Sequence, residues 1–565
     1  MKNSYFVPND RRWLKFYPQG MPKHLDYPEV PLYQFLDDSA KKFPDRTALV
    51  FYGKKISYQS LKDLSDRFAH ALQDLGIKQG DRVAFLLPNS PEFVIAYFGT
   101  LKAGGVVVPL NPLYLSKELN HLLADAKPKI LVSLKMFAPK LKTVKKEIVP
   151  ILIFSDLAAY LPLPLKSLLK IKNWSRSSLK LDFNGQLFNF EKLLEKYSKK
   201  YQKVNLQPKD LALLVYTSGT TGNPKGVRLT YENVVANLIQ MKTWLRDAIK
   251  VGQDIELGVL PFFHIYGITV VLNLAMNSAL TLILFPEFHS KEVAKAIGKY
   301  KITLAPVVPV MLQVIFRRYR EAPKKYDFSS VHFWGTGAGA CDPDLIKKIN
   351  RLKGKVIEGY GLTETSPILI MNPYNGQQKI GSIGLPLPDT DCRVVDLETG
   401  EEVPPGKEGE LLVKGPQVFS GYWHNQEATE KIFSSDGWFH THDVALIDAE
   451  GYVFLKGRVD DMINIGGEKL WPQEVERVLK QHPGVEDAAV VGYPDMYFGE
   501  IPAAYVVPTK ENKEPTALQW ELPDFCKKFL TPYKIPNKIL LVSKIPKSHI
   551  GKTLYYQLRE NSKKS

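Results

Sequence analysis

Cysteine is scarce: Cys341, Cys392 and Cys526 are the only three thiols, far apart, with no CxxC pair and no cysteine–histidine spacing. An odd, scattered set excludes a disulfide framework and a structural zinc site, and fits a reducing compartment. Long apolar runs are also missing. No stretch approaches the ~18 uninterrupted apolar residues of a membrane-spanning helix, and the opening MKNSYFVPNDRRW lacks the apolar core of a secretion signal. The expected location is the cytoplasm, at most peripheral to the inner face of a membrane. There is no acidic excess. Lysine plus arginine total 75 against 59 aspartates and glutamates, a formal charge of +16, which favours anionic partners such as nucleotides, phosphorylated cofactors, carboxylates or acidic lipid surfaces. The basic residues fall in short scattered runs such as Lys145-Lys146 and Lys199-Lys200, which read as solvated surface, and no nucleic-acid motif accompanies them.

What is present belongs to a folded protein of more than one unit. Hydrophobic residues make up 44% and charged residues 24%, which excludes a disordered or fibrous chain. At 565 residues the chain exceeds the ~250 to 300 residues over which one core grows. Leu61, Leu64, Phe68, Leu72 and Leu75 share a helical face within 57–76, with Gly76 as a stop. A strand candidate (82–87), a helix opened by Pro91 (91–104) and a second strand (105–110) follow, an alternation that predicts parallel α/β layers. The stretch 151–200, with LAAYLPLPLKSLLKIKNW before FEKLLEKY, breaks the rhythm and reads as an insertion. It is either a surface hairpin or helix, or a basic, apolar element touching a membrane. After about 456 the style changes to short strands around the helix WPQEVERVLKQH, so a domain of 1–456 and one of 457–565 are expected, joined by a hinge near GRVDD.

The strongest signal is LALLVYTSGTTGNPKGVRLTYENVVANLIQ, 211–240, in which an apolar strand enters a glycine- and hydroxyl-rich loop and then a helix. Small residues (Gly219, Gly222) let the backbone approach an oligophosphate. Thr217, Ser218, Thr220 and Thr221 offer hydroxyl donors, and Lys225 adds a mobile positive charge. Thr230 is the expected N-cap of the helix, with Val234, Leu238, Met241, Leu245 and Ala248 inward. A Walker A loop is excluded, because Pro224 precedes the lysine; the later GKT at 551–553 fails as well, since Pro546 stands where the first glycine belongs.

YTSGTTGNPKGV resembles the signature loop of the adenylate-forming superfamily, which contains acyl-CoA synthetases, luciferases and peptide-synthetase adenylation domains. Further motifs follow in the family's order. The resemblance implies a large N-terminal domain of layered α/β sheets with a small barrel-like subdomain, and a small, mobile α+β C-terminal domain. VHFWGTGAGACDPDLIKKI (331–349) mimics a dinucleotide fingerprint with Glu358 downstream, but in this family the loop lines the adenine site, through the backbone of Gly337 and Ala338. EGYGLTETSP (358–367) resembles the YGxTE motif, in which Tyr360 stacks on adenine, Gly361 borders the pocket, Thr363 contacts the α-phosphate and Glu364 holds Mg²⁺. GWFHTHDVALIDAEGYVFLKGRVDD (437–461) implies Asp443 on the ribose hydroxyls, Arg458 near ribose or phosphate, and Asp460 as the pivot. One departure stands out: His442 occupies a position usually given to glycine. IPKSHIGKTLYYQLRE (545–560) resembles the PKTxxGK motif and makes Lys552 the lysine that reaches the carboxylate and α-phosphate, with Tyr555 or Tyr556 where an arginine is usual.

By the same resemblance LPFFHIYG (260–267) borders the acyl pocket, with His264 as gate or packing residue, and no aspartate is present there to bind an amino-acid substrate. The implied activity is activation of a medium- to long-chain fatty acid with ATP, followed by transfer to coenzyme A, with catalytic roles for Lys552, Thr363, Glu364 and Lys225. A carrier-protein acceptor, an aryl acid, an oxidative second half-reaction, a non-catalytic acyl-nucleotide binding role and a homodimer stay open.

Overall fold

The computed structural model describes residues 11–162, 183–217, 224–352, 354–465, 468–512, 514–547 and 552–562. A seven-stranded sheet runs in the order Gln186–Asn189, Ile151–Ser155, Ile130–Leu134, Arg82–Leu86, Val106–Pro109, Leu211–Thr217, Lys225–Thr230. The first six strands are parallel and the last is antiparallel. The carboxyl ends of those six therefore share one edge, where ligands of open α/β sheets bind. The helix Tyr58–Asp74 forms as its spacing requires: the Ser57 hydroxyl accepts from the Ser60 N–H, Leu61, Phe68 and Leu72 are buried, and Gly76 turns the chain at φ +88°. The helix Pro91–Lys102 is buried along its whole length. Even Lys102 is fully enclosed, which its ion pairs with Asp37 and Asp66, 2.5 Å each, make tolerable.

A second sheet, Ile255–Gly258, Thr281–Leu284, Thr47–Phe51, Lys54–Ser57, is joined through single bridges at Leu304 to the strand Phe333–Thr336 and its parallel neighbour Lys355–Gly361. Four antiparallel strands, Asp391–Val395, Gly409–Lys414, Phe439–Ile447 and Val453–Arg458, form a third. Beyond them the chain builds a separate small unit. Val485–Asp495 and Gly499–Pro508 make its main hairpin, and the helices Pro472–Leu479 and Leu518–Cys526 close a core of its own around Val475, Leu479, Val490, Ala504 and Leu522. This is a mixed α/β architecture with a large N-terminal and a smaller C-terminal domain. Among the described residues no helix is long and apolar enough to cross a membrane.

The expected insertion over 151–200 is corrected at both ends. Ile151–Ser155 and Gln186–Asn189 are strands of the seven-stranded sheet, in mutual parallel register, and Phe190–Lys196 is a helix that buries Phe190 against Phe68, ring centroids 4.9 Å apart. A strand covered on both faces carries a near-continuous apolar run rather than an alternating one, which is why ILIFS does not announce itself. Residues 163–182, which hold most of the basic, apolar stretch, lie outside the described residues.

Candidate active site

The phosphate-loop segment leaves the sheet at its carboxyl edge. Ser218, Gly219, Thr220, Thr221 and Gly222 lie outside the described residues; the flanks Thr217 and Lys225 face each other across an antiparallel pair, Thr217 Oγ1 3.5 Å from the Lys225 carbonyl. The helix behind them starts where expected. The Thr230 hydroxyl accepts from the Asn233 N–H, and Val234, Leu238, Met241, Leu245 and Ala248 are buried. The Lys225 ammonium sits over the ring of Tyr422, 5.1 Å from its centroid. That same tyrosine donates its hydroxyl to Glu364 Oε1 at 3.0 Å. The phosphate-loop lysine and the expected metal ligand thus share one aromatic partner, which sequence reading did not single out.

Glu364 lies in the one-turn helix Thr363–Thr365, just past the strand Lys355–Gly361. Burial raises its pKa, opposed by the Tyr422 hydrogen bond and by the charges of Arg458 and Lys552. Gly361 is obligatory here: a Cβ would stand 1.7 Å from the Pro367 carbonyl oxygen. The turn is held from outside by Asn237, whose amide donates to the Ile368 carbonyl at 2.6 Å and accepts from the Ile368 N–H at 3.0 Å.

One strand residue earlier, the Tyr360 hydroxyl donates to Asp443 Oδ2 at 2.6 Å, and Arg458 Nη1 stands 3.3 Å from Asp443 Oδ1. Asp443 and Arg458 are register partners on adjacent strands. Lys552 belongs to the small domain yet lies within electrostatic range of the same cluster. The protein packed around it lowers its pKa, while Asp443 and Glu364 raise it and Arg458 adds to the lowering; the side chain remains open to solvent. Its loop is closed at the base by pairing of Lys547 with Thr553 and by the Leu554 N–H on the Pro546 carbonyl. Behind the loop the Tyr555 hydroxyl meets both oxygens of buried Glu476, at 3.0 and 3.1 Å, and Arg559 pairs with Asp461 at 2.8 Å. Burial raises Glu476 to about 7.

His442, where glycine was expected, has φ +56°, in the left-handed region that glycine enters without cost. Its N–H donates to Glu410 Oε1 at 3.1 Å, and His440 Nδ1 stands 3.0 Å from Glu410 Oε2. The histidine therefore keeps the glycine geometry, anchored by one carboxylate, and Asp443 still faces Tyr360.

Gly337 comes within contact of the opposite strand, its absent Cβ falling 2.9 Å from the Gly359 carbonyl oxygen and 3.7 Å from the Tyr266 hydroxyl; Ala338 follows at φ +64°. Glu358 does not serve as a dinucleotide acid, since its carboxylate takes the Cys341 N–H and burial raises its pKa to about 7. His264 packs against Phe263, centroids 4.6 Å apart, just before the π-helical turn Gly267–Asn273. Phe262 and Ile265 belong to the core rather than the rim. The segment is pinned by Asn89, which donates to the Gly258 and Leu260 carbonyls and accepts from the Phe262 N–H. Among the described residues no three His, Cys, Asp or Glu side chains gather as a metal cage. Glu364 offers one hard oxygen ligand, which suits a Mg²⁺ ion that keeps its waters and takes further ligands from a bound oligophosphate.

Comparison with known proteins agrees with this geometry. The profile described as "AMP-binding enzyme" matches residues 36–423, and "AMP-binding enzyme C-terminal domain" matches 474–552. A long-chain-fatty-acid–CoA ligase of Bacillus subtilis is 37% identical over 558 residues, covering 98% of each chain. The solved structure of ATP-bound MatB from Rhodopseudomonas palustris, 28% identical, superposes with a TM-score of 0.80 over 95% of this chain and 99% of that one. The same protein in its apo form gives 0.70 at equal coverage. With both profiles matched in order and full-length relatives above 30% identity, the chain belongs to the AMP-binding enzyme family of the adenylate-forming superfamily.

Proposed function

We propose that the chain is an AMP-forming acyl-CoA ligase that activates a medium- to long-chain fatty acid with ATP and transfers the acyl group to coenzyme A. The observation that carries the reading is the placement of Lys552, from the small domain, within electrostatic range of Asp443 and Glu364 from the large one and of Arg458 at their junction. Attack of a carboxylate on the α-phosphorus of ATP develops negative charge where the substrate is already anionic. A lysine brought there by domain packing is effective because charges interact several-fold more strongly in a partly desolvated cleft than in water. Two further facts support this reading: the higher superposition score with ATP-bound than with apo MatB, and a relative named for long-chain fatty acids along the full chain.

In this reading Thr217, the 218–222 loop and Lys225 hold the β- and γ-phosphates and Thr363 the α-phosphate. Tyr360 and the backbone at Gly337 and Ala338 bind the adenine, and Asp443 and Arg458 the ribose. His264, Gly337 and Gly361 border the acid. Glu364 would hold Mg²⁺, which supplies charge neutralisation for the departing pyrophosphate. After adenylation the small domain (457–565) turns about Asp460 against residues 1–456 and admits coenzyme A. The location is the cytoplasm, with contact to a membrane surface.

The test is release of pyrophosphate and AMP with ATP, Mg²⁺ and a panel of carboxylates, with and without coenzyme A. Thioester from long-chain acids supports the reading. Adenylate that never becomes thioester would instead point to a carrier-protein acceptor, and no turnover with any acid would reduce the chain to an acyl-nucleotide binder.

A further inference from the structure

At the carboxyl edge of the seven-stranded sheet, two loops combine exposed apolar side chains with lysines. Leu113 and Leu115 follow the strand Val106–Pro109 and are 56% and 70% exposed; Met136 follows the strand Ile130–Leu134 and is 58% exposed. The loops are one surface. Lys140 donates to the Pro112 carbonyl at 2.6 Å, the Asn120 amide to Thr143 Oγ1 at 2.9 Å, and Leu119, Leu141 and Val144 share a core cluster beneath. Residues 135–146 contain five lysines and no acid. Glu118, in the first turn of the helix Ser116–Ala126 that follows Leu115, turns its carboxylate onto the Leu115 N–H at 2.8 Å.

We infer that this patch docks the protein on an anionic phospholipid bilayer. Protein interfaces deplete lysine from their apolar centres, whereas leucine and methionine ringed by lysine is the pattern of a segment lying at a lipid headgroup boundary, with apolar tips inserted and ammonium groups on the phosphates. The position fits the cargo. The strands that carry the two loops flank the strand Arg82–Leu86, whose carboxyl end leads to Asn89, the residue that pins the expected acyl rim, and one of them also neighbours the strand that ends at Thr217. A docked protein would hold its nucleotide edge toward the bilayer, where a long-chain acid partitions. The inference rests on the proposed ligase reading for the identity of that acid and not for the docking itself.

The test is co-sedimentation of the full-length protein with vesicles of phosphatidylcholine, with or without phosphatidylglycerol. Binding is expected to be at least about tenfold stronger with the anionic lipid than without it. Charge reversal at Lys117, exposed two residues after Leu115 in the helix Ser116–Ala126, and at Lys145 and Lys146 (each to Glu) should weaken it by about tenfold or more. Leu113→Ser/Leu115→Ser/Met136→Ser should abolish the fraction that survives high salt, where headgroup attraction is screened. Both variants should keep wild-type pyrophosphate exchange with a short soluble acid in vesicle-free buffer, which shows that they fold. Equal binding by wild type and both variants overturns the docking surface. So does loss of binding on deletion of 163–182 when the two patch variants bind as wild type. Vesicle binding without activity toward any acid would keep the docking and sink the ligase reading.

Discussion

Replacing Asp443 by asparagine tests the nucleotide site most directly. A carboxylate offers about four lone-pair positions; Tyr360 takes one at 2.6 Å and Arg458 faces another at 3.3 Å. Two remain, matching two ribose hydroxyls. Asparagine keeps a single oxygen, and its amide must point its own donors at the Tyr360 hydroxyl or at the guanidinium. The gross attraction between unit charges 3.3 Å apart is about 5 kcal/mol at an effective dielectric constant near 20. Most of that offsets desolvation, so the relevant magnitude is the net value of a hydrogen bond to a charged group, ~1.5 to 3 kcal/mol. Asp443→Asn is therefore expected to raise the KM for ATP roughly 10- to 100-fold at little cost to the KM for the acid. Pyrophosphate exchange at varied ATP, with the acid saturating, measures it. A KM for ATP within about threefold of wild type would refute the ribose assignment and leave Asp443 as a structural partner of Arg458.

Lys552→Ala should slow acyl-adenylate formation by at least ~100-fold, as loss of a positioned electrostatic group does; an unchanged single-turnover adenylation rate contradicts the role. His442→Gly should leave the KM for ATP within about threefold, because the left-handed backbone it adopts is open to glycine and His440 still holds Glu410; a tenfold change would show that the imidazole itself touches the nucleotide. Glu92 is fully enclosed, and burial raises its carboxyl to about 8. The folded state thus holds a proton that the unfolded chain releases at ordinary carboxylate pH. Its contribution is complete below that ordinary pKa and is lost as pH rises toward 8. Glu92→Gln should accordingly gain stability relative to wild type between pH 5 and pH 8, seen as a widening Tm difference in paired thermal melts; a constant difference would sink the assignment.

Much of the fold could be read from local pattern, because the helix of 58–74 and the strands on either side of Pro91–Lys102 bury residues at the spacing their geometry dictates. The two strands within 151–200 could not. One is apolar up to its last residue, Ser155, and prolines and lysines in the intervening stretch mask the pairing partner. The site divides in the same way. Thr217, Lys225, Tyr360, Glu364, Asp443 and Lys552 lie in linear motifs, since loops that grip a nucleotide are built from consecutive residues. Tyr422 and Asn89 do not, and Asn237, though inside the 211–240 segment, is not marked by it: the three act 58, about 170 and 131 residues away along the chain, as ordinary polar side chains whose meaning exists only after folding. His442 shows the reverse case, a break in the pattern that the backbone absorbs.

The Arg559–Asp461 pair ties the far end of the Lys552 loop to the residue beside Asp460, and Tyr555 bolts the same segment to Glu476. The segment that follows the lysine is therefore fastened to its own domain at two points. In the proposed reading a turn about Asp460 would carry that whole segment, Lys552 included, away from the nucleotide, and a second adenylation would have to wait for its return. Order between the two half-reactions would then come from gearing alone.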